Sequence, residues 1–109
     1  MPMQVPEPLA GYVAAQNARS VDAMLAYFTD DAVVRDERRE YLGTSSIRGW
    51  MEETTAKYHS TLEVLDVRTA GEKVLLRVSV SGTFPGSPIR LRYDFTLDRD
   101  RIARLEIDG

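Results

Sequence analysis

The sequence predicts a single domain of the α+β class, a cone-shaped roll in which a curved, mostly antiparallel sheet wraps around a long helix, with two further helices at the N-terminus. Apolar residues recur at helical spacing only before His59 and at strand spacing after it. Helices followed by consecutive strands are typical of α+β domains. The 109 residues leave room for one hydrophobic core, so we expect residues 1–109 to form one domain.

Two helices are predicted before the first strand. Residues 1–6 contain two prolines and little periodicity, which indicates a loose lead-in. Pro8 suits the first turn of a helix, where its missing N–H is not needed, and this helix is predicted over about residues 7–18. Ser20 is a typical N-cap for a second, short helix that carries an apolar stripe and ends near Phe28.

A short strand and a charged connection follow the second helix. Turn-forming residues at 29–31 precede the apolar segment 32–36, which we predict to be a strand that ends at Asp36. Residues 37–40 are all charged, and we interpret them as a solvated loop.

The third helix is predicted to be the cover of the sheet. Gly43 gives a break, and the hydroxyl residues 44–46 supply a helix cap. The helix is predicted to run to about Lys57 and to present Trp50 and Met51 on one apolar face.

Four strands joined by short turns are predicted after His59. Their alternation indicates one buried and one wetter face. The alternating apolar positions of the last three strands are Val74, Leu76, Val78 and Val80, then Leu91, Tyr93, Phe95 and Leu97, then Ala103, Leu105 and Ile107. Such a sheet must curl over the third helix to hide its apolar face, and the wide end of the resulting cone is a ready pocket.

Composition excludes several classes of function. The formal net charge is −3, so the chain lacks the excess of basic residues that nucleic-acid binding needs. No cysteine is present, and the single histidine cannot form a multi-histidine metal site, so we expect no metal. No apolar run is long enough to span a bilayer, and the N-terminus lacks the pattern of a signal peptide. We therefore expect a cytoplasmic protein with no membrane or nucleic-acid partner.

The order and spacing of several segments resemble a known family. These segments are Tyr12-Val13-Ala14-Ala15-Gln16-Asn17, Val21-Asp22, residues 28–36, Gly43-Thr44-Ser45-Ser46-Ile47-Arg48 and Tyr93-Asp94-Phe95. Together they resemble the ketosteroid isomerase and SnoaL-like polyketide cyclase branch of the nuclear transport factor 2-like superfamily, over nearly the whole chain. Because this superfamily holds many chemistries and many non-enzymes, the resemblance favours the fold more than any one activity.

The resemblance implies catalytic roles for Asp36, Tyr12 and Tyr93. By motif, Asp36 falls on the position of the catalytic base of ketosteroid isomerase, and Tyr12 falls on its oxyanion-binding tyrosine. Tyr93 falls where the isomerase has a protonated aspartic acid, while Asp94 should point to the opposite face of the strand. This departure argues against steroid isomerisation, although a tyrosine can also donate to an oxyanion.

Each of these roles has a structural alternative. Asp36 opens a charged segment and would then lie in solvent, paired with a following arginine. Tyr12 and Tyr93 would then be packing residues. His59 follows the third helix, where it is either a proton shuttle or an exposed helix-end residue. Together with Asp36 it could serve a dehydratase, a further chemistry of this superfamily.

The pocket is predicted to bind a small apolar molecule, flat or polycyclic in shape, without a cofactor. Its predicted lining is Trp50, Met51, Val78, Val80 and Leu105. Three functions stay open: proton abstraction next to a carbonyl by an isomerase or cyclase, non-catalytic binding of a small apolar ligand, and a homodimeric interaction module that pairs through its sheet. Dimerisation is also what the resemblance implies, so the first and third are compatible.

Overall fold

The computed structural model of the chain describes residues 4–109 and has an α+β fold built on one curved, unclosed sheet of six strands. The elements are α1 (Leu9–Asn17), α2 (Val21–Leu25), β1 (Phe28–Asp36), β2 (Arg39–Leu42), α3 (Gly43–Tyr58), β3 (Thr61–Ala70), β4 (Lys73–Ser81), β5 (Ile89–Asp98) and β6 (Arg101–Asp108). The strand order is β2-β1-β6-β5-β4-β3. Among the strands of residues 4–109, only β1 and β6 pair in parallel, which confirms the predicted α+β class and mostly antiparallel sheet.

The two N-terminal helices are shorter than predicted. Residues 4–6 have no regular structure, and residues 1–3 of the predicted lead-in lie outside the described residues. Helix α2 begins after Ser20, whose side chain accepts a hydrogen bond of 3.3 Å from the backbone N–H of Ala23, as predicted for an N-cap. The helix ends at Leu25 rather than near Phe28.

Strand β1 begins at Phe28, earlier than predicted. Phe28 pairs with Ile102 of β6, and the pairing resumes in a shifted register where Val33 lies opposite Arg104. Residues 29–31 are therefore part of the strand and lie at an irregularity of its pairing, so their prediction as a turn is wrong. Turn-forming residues suit such an irregularity because it requires a local bend.

The charged segment after Asp36 is the tip of a β-hairpin. The predicted loop at residues 37–40 is wrong for residues 39 and 40, which belong to strand β2. Glu37 and Arg38 form a two-residue turn with φ angles of 52° and 67°, and Arg39 pairs with Asp36 where β2 begins. Turns of this hand match the twist of the flanking strands. Strand β2 is at the edge of the sheet, where charged side chains are tolerated and protect against further pairing.

Helix α3 begins at Gly43 and no side chain caps it, so the predicted cap from residues 44–46 is not formed. Its buried residues are Ile47, Trp50 and Met51, which face β1 and β2. The helix ends at Tyr58, one residue later than predicted. His59 follows in the left-handed conformation, with a φ of 47°.

The core lies between the helices and the concave face of the sheet. On β4 the predicted alternation is confirmed, since Val74, Leu76, Val78 and Val80 are all buried. On β6 the buried residues are Ile102 and Leu105 instead of a strict alternation from Ala103. A register shift in the pairing of β5 and β6 between Thr96 and Leu97 explains this difference.

Asn17 joins α1 to the free edge of β3. Its side-chain amide donates to the carbonyl of Leu62 at 3.0 Å and accepts from the N–H of Leu62 at 2.7 Å. The amide thus acts as one residue of an added strand, and it fixes the helix at one side of the cone. Among the described helices, none is long and apolar enough to cross a membrane.

Candidate active site

Asp36 and Tyr93 lie in one row across three neighbouring strands. Ile107 of β6 is in register with Asp36 of β1 on one side and with Tyr93 of β5 on the other. Residues in direct register project to the same face of a sheet, so both side chains flank Ile107 on the concave face. Each strand spacing is roughly 4.8 Å, so the backbones of Asp36 and Tyr93 are separated by about 10 Å.

Tyr12 approaches the same region from α1. Its ring is 1% exposed and packs edge-on against Phe28 and Phe95, with centroid distances of 5.6 and 5.8 Å. Tyr12, Asp36 and Tyr93 all line one cavity. The structure therefore brings the three predicted residues together, and their catalytic roles stay predictions.

Trp50 fixes the orientation of the Asp36 carboxyl group. The indole N–H of Trp50, on α3, donates to Oδ2 of Asp36 at 3.0 Å. Trp50 is 8% exposed, and its ring lies 6.1 Å from that of Tyr41 on β2. One carboxyl oxygen is thus held by a donor from the protein, and Asp36 is half-buried rather than fully exposed as in the structural alternative.

Burial sets the acidity of Asp36. Loss of hydration raises the pKa of its carboxyl group above the ordinary value of 3.8, and the negative charge of Glu37 adds to this rise. The hydrogen bonds from Trp50 and from the backbone of Glu37 oppose it. A carboxylate with a raised pKa is a stronger base than an exposed one.

Both phenols keep their protons at neutral pH. Burial raises the pKa of Tyr12 well above its usual range, and the charges that Tyr93 and Asp36 can carry raise it further. Burial also raises the pKa of Tyr93 to about 12, although a hydrogen bond with the side chain of Gln16 partly opposes the rise. Two neutral hydroxyl groups are therefore available as hydrogen-bond donors beside one carboxylate.

The cavity has a volume of about 730 Å³, enough for a substrate of several rings. Of the residues predicted to bind substrate, Trp50, Met51 and Val80 line it. Val78 and Leu105 are fully buried and lie in the core behind the wall of the cavity. Strand alternation alone could not separate the cavity-lining residues from the core residues. It predicts which face of a strand is buried, but not which part of that face borders a cavity.

Several lining residues were missed from the sequence. Gln16 follows Tyr12 by four positions on α1, and this spacing could have placed it on the same wall. Leu91 and Ile107 precede and oppose Tyr93, so they could have been inferred once the strand register was known. The contact between Trp50 and Asp36 has no signal in the sequence.

Other candidate residues lie outside the cavity. His59 is exposed and is not among the lining residues, so it does not join Asp36 there as a dehydratase would require. Asp94 lies opposite Glu106 and lines a hollow on the other face of the sheet, as strand alternation predicts. Within residues 4–109, no three histidine, aspartate or glutamate side chains are grouped as metal ligands.

Comparison with known families identifies the class of protein. The SnoaL-like domain matches residues 9–105, and the chain therefore belongs to the SnoaL-like domain family. This family lies within the superfamily that the sequence motifs resemble, so the predicted resemblance is confirmed. Among proteins with curated functions, none matches the chain significantly.

Solved structures support the same assignment. A candidate polyketide cyclase from Sinorhizobium meliloti is 38% identical, covers 95% of this chain and 95% of its own, and superposes with a TM-score of 0.92. An uncharacterised cystatin-fold protein from Novosphingobium aromaticivorans is 25% identical over 93% of this chain and 94% of its own, with a TM-score of 0.80. A protein with a ketosteroid isomerase-like fold from Catenulispora acidiphila is 18% identical and covers 97% of this chain and 87% of its own. Its TM-score of 0.85 shows the shared fold.

Proposed function

We propose that this protein is an enzyme that removes a proton from a carbon next to a carbonyl group, as an isomerase or a cyclase of a small apolar compound. The observation that carries the proposal is the placement of the Asp36 carboxyl group, which is half-buried, has a raised pKa and borders a cavity shared with Tyr12 and Tyr93. Membership of the SnoaL-like family and the similarity to a candidate polyketide cyclase support it.

Asp36 is the base in this proposal. The carboxylate takes the proton, and the electrons of the C–H bond move to the carbonyl oxygen, which becomes an enolate. Tyr12 and Tyr93 donate hydrogen bonds to that oxygen as it gains charge. Because both phenols are nearly free of water, their hydrogen bonds stabilise the enolate more than they would in solution.

The fate of the enolate distinguishes the two reactions. In an isomerase, protonated Asp36 returns the proton to another carbon of the conjugated system. In a cyclase, the enolate carbon attacks a second carbonyl of the same molecule and forms a ring bond. The first carbonyl is restored, the π bond of the second breaks, and protonated Asp36 gives its proton to the resulting alkoxide oxygen. A cavity of about 730 Å³ can hold such a chain in a folded shape, which favours ring closure by proximity.

The test does not require the natural substrate. 2-Tetralone is a flat ketone with exchangeable protons next to its carbonyl, and NMR in D₂O measures their replacement by deuterium. We expect the wild-type protein to accelerate this exchange and Asp36→Asn to lose at least about 100-fold of the acceleration. Asp100→Asn, on an exposed turn, is the matched control and should exchange like the wild type. Full exchange activity in Asp36→Asn would sink the proposal.

Non-catalytic binding of a small apolar ligand is the second candidate. The edge-on packing of Tyr12 against two phenylalanines favours it, because this packing gives the ring a structural role without catalysis. In that case 2-tetralone would raise the melting temperature of the protein while the rate of exchange stayed at the background value.

A further inference from the structure

We propose that the substrate carries a carboxylate at the end remote from its reacting carbonyl, and that Arg19 binds this carboxylate at the exposed edge of the cavity. This inference rests on the proposed function and specifies the class of its substrate. It has three supports, which are the order of groups along one cavity wall, the way in which Arg19 is held, and the absence of a protein carboxylate next to it.

One wall of the cavity presents a graded series of polar groups. Tyr12, Gln16 and Arg19 all line it and follow one another at spacings of four and three residues. Tyr12 is buried, Gln16 is half-buried and Arg19 is exposed, so the series runs from the floor to the edge. Arg19 lies two residues beyond the end of α1, the helix that carries Tyr12 and Gln16.

The protein holds the Arg19 side chain with neutral acceptors. Its Nη2 donates to the carbonyl of His59 at 2.8 Å and approaches Oγ1 of Thr61 at 3.4 Å. Both Arg19 and His59 have left-handed backbones, with φ angles of 57° and 47°. Both residues lie just after the end of a helix, where this conformation is common, and it accompanies the contact of the Arg19 side chain with the His59 carbonyl.

The positive charge of Arg19 has no carboxylate partner in the described part of the chain. The ion pairs found there, at 4.0 Å or less, involve Arg48, Arg68 and Arg104. A guanidinium group has five N–H donors, and the contacts of Arg19 use those of one nitrogen. The remaining donors, on Nε and Nη1, can each form a single charge-assisted hydrogen bond with a carboxylate oxygen.

Apolar side chains also line the cavity. Met24, Val80 and Leu91 line the cavity together with the aromatic side chains. A matching substrate has a carbonyl group near Asp36, an apolar body, and a carboxylate that reaches Arg19 at the exposed edge of the cavity. A neutral hydrocarbon ketone would leave the guanidinium group without an anionic partner.

Two probes of almost equal shape test this inference. 1-Pyrenebutyrate has a flat apolar body and a carboxylate on a short arm, while 1-pyrenebutanol has a neutral hydroxyl group in its place. Fluorescence titration gives the dissociation constant of each probe with wild type, Arg19→Asn and Arg99→Asn. Arg99 is the matched control because it is exposed, has the same φ of 57° and lies on the turn between β5 and β6. Asparagine tolerates the left-handed conformation at both sites.

We expect the wild type to bind 1-pyrenebutyrate more tightly than 1-pyrenebutanol. Arg19→Asn should weaken binding of the carboxylate probe by about threefold to tenfold and leave the neutral probe unchanged. Arg99→Asn should change neither constant. If Arg19→Asn does not fold, two measurements replace it. Arg19→Lys should keep part of the preference, and 0.5 M NaCl should weaken binding of the carboxylate probe alone in the wild type.

Three outcomes would overturn the inference. They are equal binding of the two probes by the wild type, an equal loss for both probes in Arg19→Asn, and the absence of binding by either probe. The proposed function has its own test in the deuterium exchange of 2-tetralone, a ketone without a carboxylate. The two claims can therefore fail separately.

Discussion

The indole N–H of Trp50 donates a hydrogen bond of 3.0 Å to Oδ2 of Asp36 and joins the covering helix to the end of the central parallel strand pair. The bond favours the charged form of a carboxyl group whose burial favours the neutral form. It therefore tunes the base. Trp50 is a positioning residue in this mechanism.

Replacing Trp50 by phenylalanine removes this donor and keeps an aromatic ring. Because the hydrogen bond lowers the pKa of Asp36, its loss should raise that pKa, and the rising limb of the exchange rate against pH should move to higher pH. The plateau rate at high pH should change less. If the rising limb of the pH–rate profile does not move, Trp50 acts only by packing. Tyr41→Phe, which alters the neighbouring ring alone, is the control.

Asp36→Asn should stabilise the protein at neutral pH. The pKa of Asp36 is higher in the folded state than in the unfolded chain, so its contribution to stability is complete at pH values below the ordinary 3.8 and is lost as the pH rises through the raised pKa. Asparagine cannot ionise and can still accept from Trp50. Urea denaturation should give a gain on the order of 1 kcal/mol at pH 7 and no gain near pH 3. A variant that is less stable than the wild type at pH 7 would contradict the raised pKa.

Asn17→Ala should destabilise the fold without touching the cavity residues. The substitution removes both hydrogen bonds to Leu62 and leaves the backbone groups of that half-buried edge without partners. The expected loss is about 1–3 kcal/mol in urea denaturation. Asn17→Asp keeps the acceptor but places a negative charge beside the carbonyl of Leu62, so we expect it to be destabilising too. A loss below about 0.5 kcal/mol for both variants would show that water replaces the amide.

We expect a homodimer formed through the outer face of the sheet. On this face Arg77 lies opposite Arg92, and Asp94 lies opposite Glu106. Acidic residues in register with the two arginines, and the ion pair of Arg104 with Glu106, balance part of this charge within the chain. A second copy turned by a two-fold axis can balance the rest by placing each basic pair against an acidic pair. Light scattering should give the mass of two chains at low salt, and Arg77→Glu should shift the protein toward the monomer. A wild-type monomer at high protein concentration would rule out this arrangement.

Periodicity predicted the parts of the fold in which one face is buried along a whole element. The alternation on β4 and the apolar face of α3 with Trp50 and Met51 are such cases. Periodicity failed where backbone pairing, and not the polarity of the side chains, determines whether a segment is a strand. Residues 39 and 40 are charged and still form strand β2, because the tight turn after Asp36 brings them into register with β1.

The candidate catalytic residues were predicted from a motif, and three lining residues, Trp50, Met51 and Val80, were predicted from periodicity. Asp36, Tyr12 and Tyr93 came from the resemblance, and the structure places all three at one cavity. Gln16 and Ile107 depend on helix and strand register, which the sequence gives only indirectly. The hydrogen bond between Trp50 and Asp36 depends on how α3 lies against β1, a tertiary relationship with no local signal.

The acidity of Asp36 is the property on which the catalytic proposal rests, and a carbon-13 NMR titration of its carboxyl group measures it directly. The signal is assigned by its absence from Asp36→Asn. We expect a titration midpoint above the ordinary 3.8, and a carboxyl resonance that moves when 2-naphthol, a flat mimic of an enol, fills the cavity. A midpoint at or below 3.8, together with a resonance that does not respond to 2-naphthol, would show a solvated carboxylate and would contradict Asp36 as the base.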